Sequence, residues 1–187
     1  MGSQQNFLTH SLIKMNNYKE ALRNIKAFAF DVDGVFSDCK INLNPNGEMV
    51  RTMNIKDGYA VQLAIKKGYP IAVITGGHSR AVKRRFAYLG VKHIYLHSAS
   101  KMTDFNDFLK RNNLQASEVL YMGDDIPDLE VMKIAGFAAC PADAAEEVKL
   151  VAQYISDRTG GSGCVRDIME QVLKLQEKWL DKDAFYW

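Results

Sequence analysis

Residues 25–35 read IKAFAFDVDGV. Apolar side chains occupy successive positions from Ala27 to Phe30, as in a parallel strand covered on both faces. The run ends on Asp31-Val32-Asp33-Gly34, which puts two carboxylates where a buried strand meets solvent. Carboxylates there are costly unless a cation or a full set of hydrogen bonds meets them. The stretch therefore predicts a core strand whose carboxyl end carries chemistry.

The pattern repeats along the chain. YPIAVIT (69–75), HIYL (93–96), VLYMG (119–123) and FAAC (137–140) read as further buried strands. Helical stretches are predicted around 57–67, 79–89, 101–113, 127–135, 143–152 and 164–180. Alternation of this kind predicts an α/β fold with a parallel sheet. The exception is KINLNPNGEMVRTMN (40–54), which alternates in strand fashion around Asn46-Gly47. Asn-Gly between alternating runs signals a hairpin, read here as a flap over residues 36–54, inserted after the first strand.

At 187 residues the chain fits one domain, assigned to residues 25–180. Residues 1–24 read as an extension, with Leu8, Leu12, Tyr18, Leu22 and Ile25 at amphipathic-helix spacing, and 181–187 as a tail. With 47% hydrophobic and 25% charged residues, disordered and collagen-like classes are excluded. A net charge of +2 gives no sign of a nucleic-acid partner. No apolar run is long enough to span a membrane, and the N-terminus lacks a signal-peptide pattern. Cys39, Cys140 and Cys164 have neither zinc nor disulfide-framework spacing, so the expectation is reduced thiols in the cytoplasm. His10, His78, His93 and His97 share no metal spacing.

The second acidic cluster, Asp124, Asp125 and Asp128, follows the strand VLYM. In open α/β sheets ligands bind beyond the carboxyl ends of the strands, where strand order reverses. If the first and fourth strands are neighbours there, Asp31, Asp33 and Asp124 meet. Such a group suits Mg²⁺, which takes one or two carboxylates together with waters and phosphate oxygens. Thr75-Gly76-Gly77 ends another strand, offering a hydroxyl and backbone N–H groups near a helix N-terminus for an anion. Lys101 opens the helix after HIYL and places an ammonium at the same end of the sheet.

Taken together, FDVDGV (30–35), ITGG (74–77), Lys101 and GDDIPD (123–128) resemble the four ordered motifs of the haloacid dehalogenase superfamily of phosphatases. DVDGVFSD, the flap, NIKDGYAV (54–61) and TGGSGCVRD (159–167) are similar to its small capless branch. This closer similarity implies action on a sugar-acid phosphate in the synthesis of the lipopolysaccharide inner core. The resemblance implies a Rossmann-like, doubly wound parallel sheet with a hairpin flap and no cap domain. It also implies a two-step phosphoryl transfer, with Asp31 as nucleophile and Asp33 as acid and then base. Mg²⁺ would be held by Asp31, the Asp33 carbonyl and Asp124. Thr75 and Lys101 would stabilise the transferring oxygens, with Asp125 and Asp128 in support.

For substrate contacts the resemblance implies Asn54, Lys56, Asp57, Gly58, Gly76, Gly77 and Arg85. Asp57 also reads as the N-cap of the following helix. Arg80, Lys83 and Arg84 share one helical face and read as solvated. Gly77 stands where sialic-acid-type relatives tend to carry Glu, which tilts the expected substrate from a nonulosonate 9-phosphate to an octulosonate 8-phosphate. Gly160-Gly161-Ser162-Gly163 reads as a flexible arm, and with it Arg158 or Arg166 would reach ligand in a neighbouring subunit. With no cap to exclude water, neighbouring subunits would complete the site, so a homotetramer is expected. A receiver-like phosphoacceptor gathers similar residues but places its acceptor on a middle strand and its Lys last. A noncatalytic assembly module would not need intact Asp-x-Asp and Gly-Asp-Asp motifs.

Overall fold

The structure, a computed structural model, describes residues 18–186. Six strands form one parallel sheet: β1 (Ala27–Phe30), β4 (Ile71–Ile74), β5 (His93–Tyr95), β6 (Val119–Met122), β7 (Phe137–Cys140) and β8 (Tyr154–Ile155). Their spatial order is β5-β4-β1-β6-β7-β8. The chain winds outward from β1 through β4 to β5, then crosses back to lay β6 on the other side of β1. The reversal therefore falls between β1 and β6, paired in parallel with Phe30 opposite Met122. The first and fourth strands of the sequence reading are neighbours at the switch.

Strand periodicity divides the core. Phe28 and Phe30 of β1 face one hydrophobic cluster, and Ala27 and Ala29 face the other. The aromatic side packs on α1 (Ile55–Lys66) and on Ile168 and Val172 of α6 (Cys164–Leu175). The small-residue side takes Phe105 and Phe108 of α3 (Lys101–Asn112). Each fully buried Phe contributes roughly 1.5–3 kcal/mol. Between β4 and β5 runs α2 (Arg80–Tyr88), and α4 (Leu129–Ile134) and α5 (Glu146–Val151) flank β7.

The expected flap is a two-stranded antiparallel hairpin, β2 (Asn42–Leu43) with β3 (Met49–Val50). Gly47 closes its turn at φ +82°, a region that favours glycine. Ser37 bridges Met53 at the hairpin's base.

Three differences from the sequence reading have physical causes. The helix expected over 143–152 is shorter, and two residues beyond it form β8, too short to show periodicity. The helix expected to reach residue 180 ends at Leu175. Gly160–Gly163 is not a flexible arm but is packed against the Asp31 loop of its own chain. A Cβ on Gly160 would fall 2.1 Å from the Gly34 carbonyl oxygen, and Gly161 donates to the Val35 carbonyl at 2.9 Å. These glycines provide close approach of two backbones.

At the N-terminal side, residues 18–23 are helical. Leu22 and Ile25 are buried in the main cluster, while Leu8 and Leu12 lie outside the described residues. At the other end, Asp181 and Asp183 flank Lys67, and Tyr59 donates to the Ala184 carbonyl at 2.6 Å.

Candidate active site

Each acidic residue is placed by the strand before it. Asp31 continues the ladder of β1, its N–H donating to the Met122 carbonyl at 3.0 Å. Gly34 follows at φ +82°, and an added Cβ there would lie 1.9 Å from Asp124 Oδ2. Only glycine lets the two loops close up and bring Asp124 beside Asp31. Carboxylate oxygens of Asp31, Asp124 and Asp128 lie within 4.8 Å of one another.

The three do not play equal parts. Asp128 Oδ1 accepts from Lys101 Nζ at 2.7 Å and the Tyr121 hydroxyl at 2.6 Å. Its Oδ2 accepts from the N–H groups of Asp124 and Asp125 at 3.2 and 3.3 Å. Its lone pairs are spent within the protein. By contrast, Oδ1 of Asp31 and Oδ1 of Asp124 are buried without a hydrogen-bond partner among the described residues. Burial first, then the charge of Asp128, pushes the Asp31 carboxyl up to about 7 despite the neighbouring Lys101. Burial, with Asp31 and Asp128 beside it, likewise pushes Asp124 up to about 7. Two carboxylates with orphaned oxygens and raised pKa values describe a place with more negative charge than Lys101 offsets. A small oxygen-seeking dication fits that donor set.

Lys101 Nζ also lies 2.9 Å from Asp31 Oδ2. Burial lowers the pKa of its ammonium, but the two flanking carboxylates outweigh that and raise it. Ser100, the N-cap of α3, accepts from Thr103 N and fixes where the helix begins. Thr75 is buried, and its Oγ1 accepts from Gly77 N at 3.1 Å. A Cβ on Gly77 would lie 3.3 Å from Asp33 Oδ2 and 3.4 Å from Thr75 Oγ1, so these groups share one corner.

The substrate-contact residues fall in different places. Arg85 lines a cavity of about 570 Å³ between the hairpin and α2, with Arg51, Met53, His78 and Arg80. Its guanidinium overlies Gly58, where a Cβ would meet Nη2 at 2.4 Å. Gly76 stands exposed beside Ser98, whose carbonyl oxygen would lie 3.8 Å from an added Cβ. Asn54, not Asp57, caps α1, accepting from Lys56 N at 2.8 Å. Asp57 is fully buried and accepts from Arg166 N at 2.7 Å, tying α1 to the first turn of α6. Lys56 lines a separate cavity of about 400 Å³ with Tyr59, Arg166, Trp179 and Phe185. Asp125 is exposed and accepts from Ile126 N at 2.8 Å, a turn-capping position. Arg158 pairs with Asp157 on the surface, and the guanidinium of Arg166 stacks 5.0 Å from the Trp179 ring.

Two residues at the site were missed from the sequence. Tyr121 supports Asp128 from inside the sheet, where its hydroxyl reads as one more aromatic core position. Arg51 reaches from the hairpin to Asp33, with Nε 2.5 Å from Oδ1 and Nη2 2.8 Å from Oδ2. Strand alternation puts Arg51 on the same face as Met53, which packs on the core, so an inward-facing cation was legible.

Comparison with known proteins points the same way. Residues 91–168 match the haloacid dehalogenase-like hydrolase family. The 3-deoxy-D-manno-octulosonate 8-phosphate phosphatase of Salmonella typhi is 36% identical over 155 residues, covering 83% of this chain and 82% of that protein. The Yersinia pestis phosphatase of that name superposes with a TM-score of 0.84 at 31% identity, over 87% of this chain and 88% of that one. The Moraxella catarrhalis phosphatase, solved with magnesium, phosphate and its octulosonate, gives a TM-score of 0.84 at 36% identity, over 87% and 94%.

Proposed function

The chain belongs to the 3-deoxy-D-manno-octulosonate 8-phosphate phosphatase family of haloacid dehalogenase-like hydrolases, and from that membership we propose that it hydrolyses this phosphomonoester through an aspartyl-phosphate on Asp31. The observation that carries the reading is Asp31 itself. It is a buried strand-end carboxylate with one oxygen 2.9 Å from Lys101 and the other unpartnered, set across the switch from Asp124.

An oxygen of Asp31 attacks phosphorus as the ester bond to the sugar breaks, and Asp33 gives its proton to the departing oxygen. Asp33 then takes a proton from water, whose oxygen attacks the acyl phosphate. The bond between Asp31 and phosphorus breaks, releasing phosphate. Thr75 Oγ1 and Lys101 Nζ face the transferring oxygens, where phosphoryl transfer draws most of its catalysis. Asp31, Asp124 and the carbonyl of Asp33 would hold Mg²⁺, which when bound would neutralise phosphate charge so that an anionic nucleophile can approach. The Moraxella relative's magnesium, phosphate and octulosonate support that choice of ion and substrate. In this reading Arg85, which lines the cavity under the hairpin, contacts the sugar acid.

The product enters lipopolysaccharide inner-core synthesis, and the enzyme works in the cytoplasm, a reading that rests on an odd number of cysteines without disulfide-framework spacing. It assembles as a homotetramer in which a neighbour covers the hairpin, supported by Leu43 and Met49, which are 76% and 51% exposed there. Light scattering on the purified protein tests that assembly, and a fully active monomer excludes it. The function is tested by phosphate release in Mg²⁺ from octulosonate 8-phosphate and nonulosonate 9-phosphate, with Asp31→Asn as control. Acid-quenched enzyme carries phosphate on Asp31. Full activity of Asp31→Asn overturns the nucleophile, and a preference for the nine-carbon ester overturns the substrate.

A further inference from the structure

Arg51 belongs to the hairpin, whose neighbouring residues Leu43, Met49 and Val50 are exposed, yet its own side chain is only 5% exposed. It reaches inward to Asp33 as a two-pronged fork, and Nη1 is braced on the Met49 carbonyl at 3.0 Å. Such bidentate pairs fix orientation as well as distance. The two oxygens of Asp33 are held differently. Oδ1 lies between Arg51 Nε and the hydroxyl of Ser37, which donates to it at 3.1 Å. Among the described residues Oδ2 is held by Nη2 alone, and it faces the corner shared with Gly77 and Thr75. A Cβ on Gly77 would stand 3.1 Å from Arg51 Nη2, so the lack of a side chain there leaves the guanidinium its room.

We propose that Arg51 is a positioning residue: carried in by the flap, its guanidinium pins Asp33 through Oδ1 and aims Oδ2 at the leaving oxygen of the substrate. Flap closure and the aiming of the proton donor then become one event. Nε and Ser37 hold Oδ1 in place while Asp33 donates. The proton passes to the sugar oxygen as its bond to phosphorus breaks. Gly77 is part of the device, because a side chain there crowds the fork.

The inference rests on Asp33 as the proton donor, and the leaving group separates the two ideas. A sugar alkoxide needs a proton to leave, whereas p-nitrophenolate leaves without one. First-turnover rates are measured for octulosonate 8-phosphate and p-nitrophenyl phosphate in wild type, Asp33→Asn, Arg51→Met, Arg51→Lys and Gly77→Ala. In Asp33→Asn the ratio of sugar to nitrophenyl rates falls about 100-fold or more, the size of a lost general acid. Arg51→Met lowers the same ratio at least tenfold, Arg51→Lys recovers part of it, and Gly77→Ala moves it in the same direction. If Asp33→Asn leaves the ratio unchanged, the donor assignment fails. If Asp33→Asn lowers it but Arg51→Met slows both substrates equally or neither, the positioning role is overturned.

Discussion

The ammonium of Lys101 rests 2.7 Å from Oδ1 of Asp128, a carboxylate with no solvent exposure. Asp128 lies close enough to Asp31 and Asp124 to pass for a third metal ligand, but its oxygens are occupied by Lys101, Tyr121 and two backbone N–H groups. Its work is to hold Lys101 against Asp31. Asp128→Ala leaves a buried ammonium with one partner and is expected to cost about 3–5 kcal/mol in urea unfolding. Asp128→Asn keeps the shape and loses the charge. A charge-assisted bond of about 1.5–3 kcal/mol corresponds to a roughly 10- to 100-fold loss in kcat. Wild-type kcat in Asp128→Asn would show that Lys101 holds its place without Asp128.

Asp31 carries a second expectation, for the protein stripped of divalent ions. Its carboxyl is pushed up to about 7 by burial and by Asp128. A carboxyl raised on folding contributes stability at pH values below its ordinary pKa, near 3.8, and loses it as pH climbs through about 7. In EDTA, wild type therefore melts lower at pH 8 than at pH 5, and Asp31→Asn flattens that decline. Each kcal/mol appears as roughly 2–4 °C in Tm for a chain of this size. Mg²⁺ restores wild type most at pH 8 and shifts Asp31→Asn less. Identical pH curves for the two proteins would exclude an uncompensated Asp31.

The carboxyl ends of the strands were legible because a buried apolar run followed by Asp, Thr-Gly or Gly-Asp makes strand and polar end visible together. Phe30-Asp31 and Met122-Gly123-Asp124 are of that kind, and the sheet order sets them side by side. Three things were not legible, for separate reasons. Tyr154 and Ile155 form a strand only because β7 offers an edge, so their structure is tertiary in origin. Gly160–Gly163 has the composition of a linker, and only its contacts with Gly34 and Val35 show that small size is what is needed. Asn54 and Asp57 are both good N-cap residues. The choice between them follows from where α6 places Arg166, whose N–H takes the Asp57 carboxylate.

Those glycine contacts carry a paired expectation. A Cβ on Gly160 would stand 2.1 Å from the carbonyl oxygen of Gly34, and one on Gly136 would stand 2.0 Å from that of Ser117. Both neighbours are backbone, so each substitution forces a main-chain shift, about 1–3 kcal/mol for overpacking. Gly160→Ala displaces the loop carrying Asp33, whereas Gly136→Ala strains the turn before β7. Both variants should lose similar stability in urea, but only Gly160→Ala should lose kcat per folded molecule. Equal kcat in the two would mean that the loop absorbs the shift without moving Asp33.

Asp57 joins α1 to α6 with one oxygen on Arg166 N and the other buried without a partner among the described residues. Burial is the largest influence on its carboxyl and pushes it up to about 6, against the pull of Arg166. By the same sign rule, its contribution to stability is present below the ordinary carboxylate pKa and is lost as pH rises through about 6. Asp57→Asn keeps an oxygen for Arg166 N and cannot ionise. Its absolute stability is not the informative quantity, because the new amide N–H₂ meets the same unpartnered space. The informative quantity is the difference from wild type between pH 4 and pH 8, which should move in favour of the variant by on the order of 2 kcal/mol. Urea unfolding at four pH values measures it directly, and parallel curves would show that Asp57 is not held in a disfavoured charge state. KM for octulosonate 8-phosphate, taken on the same variant, separates the helix-joining role from a substrate contact. A raised KM with unchanged pH dependence of stability assigns Asp57 to the ligand, whereas an altered pH dependence with unchanged KM assigns it to the α1–α6 junction.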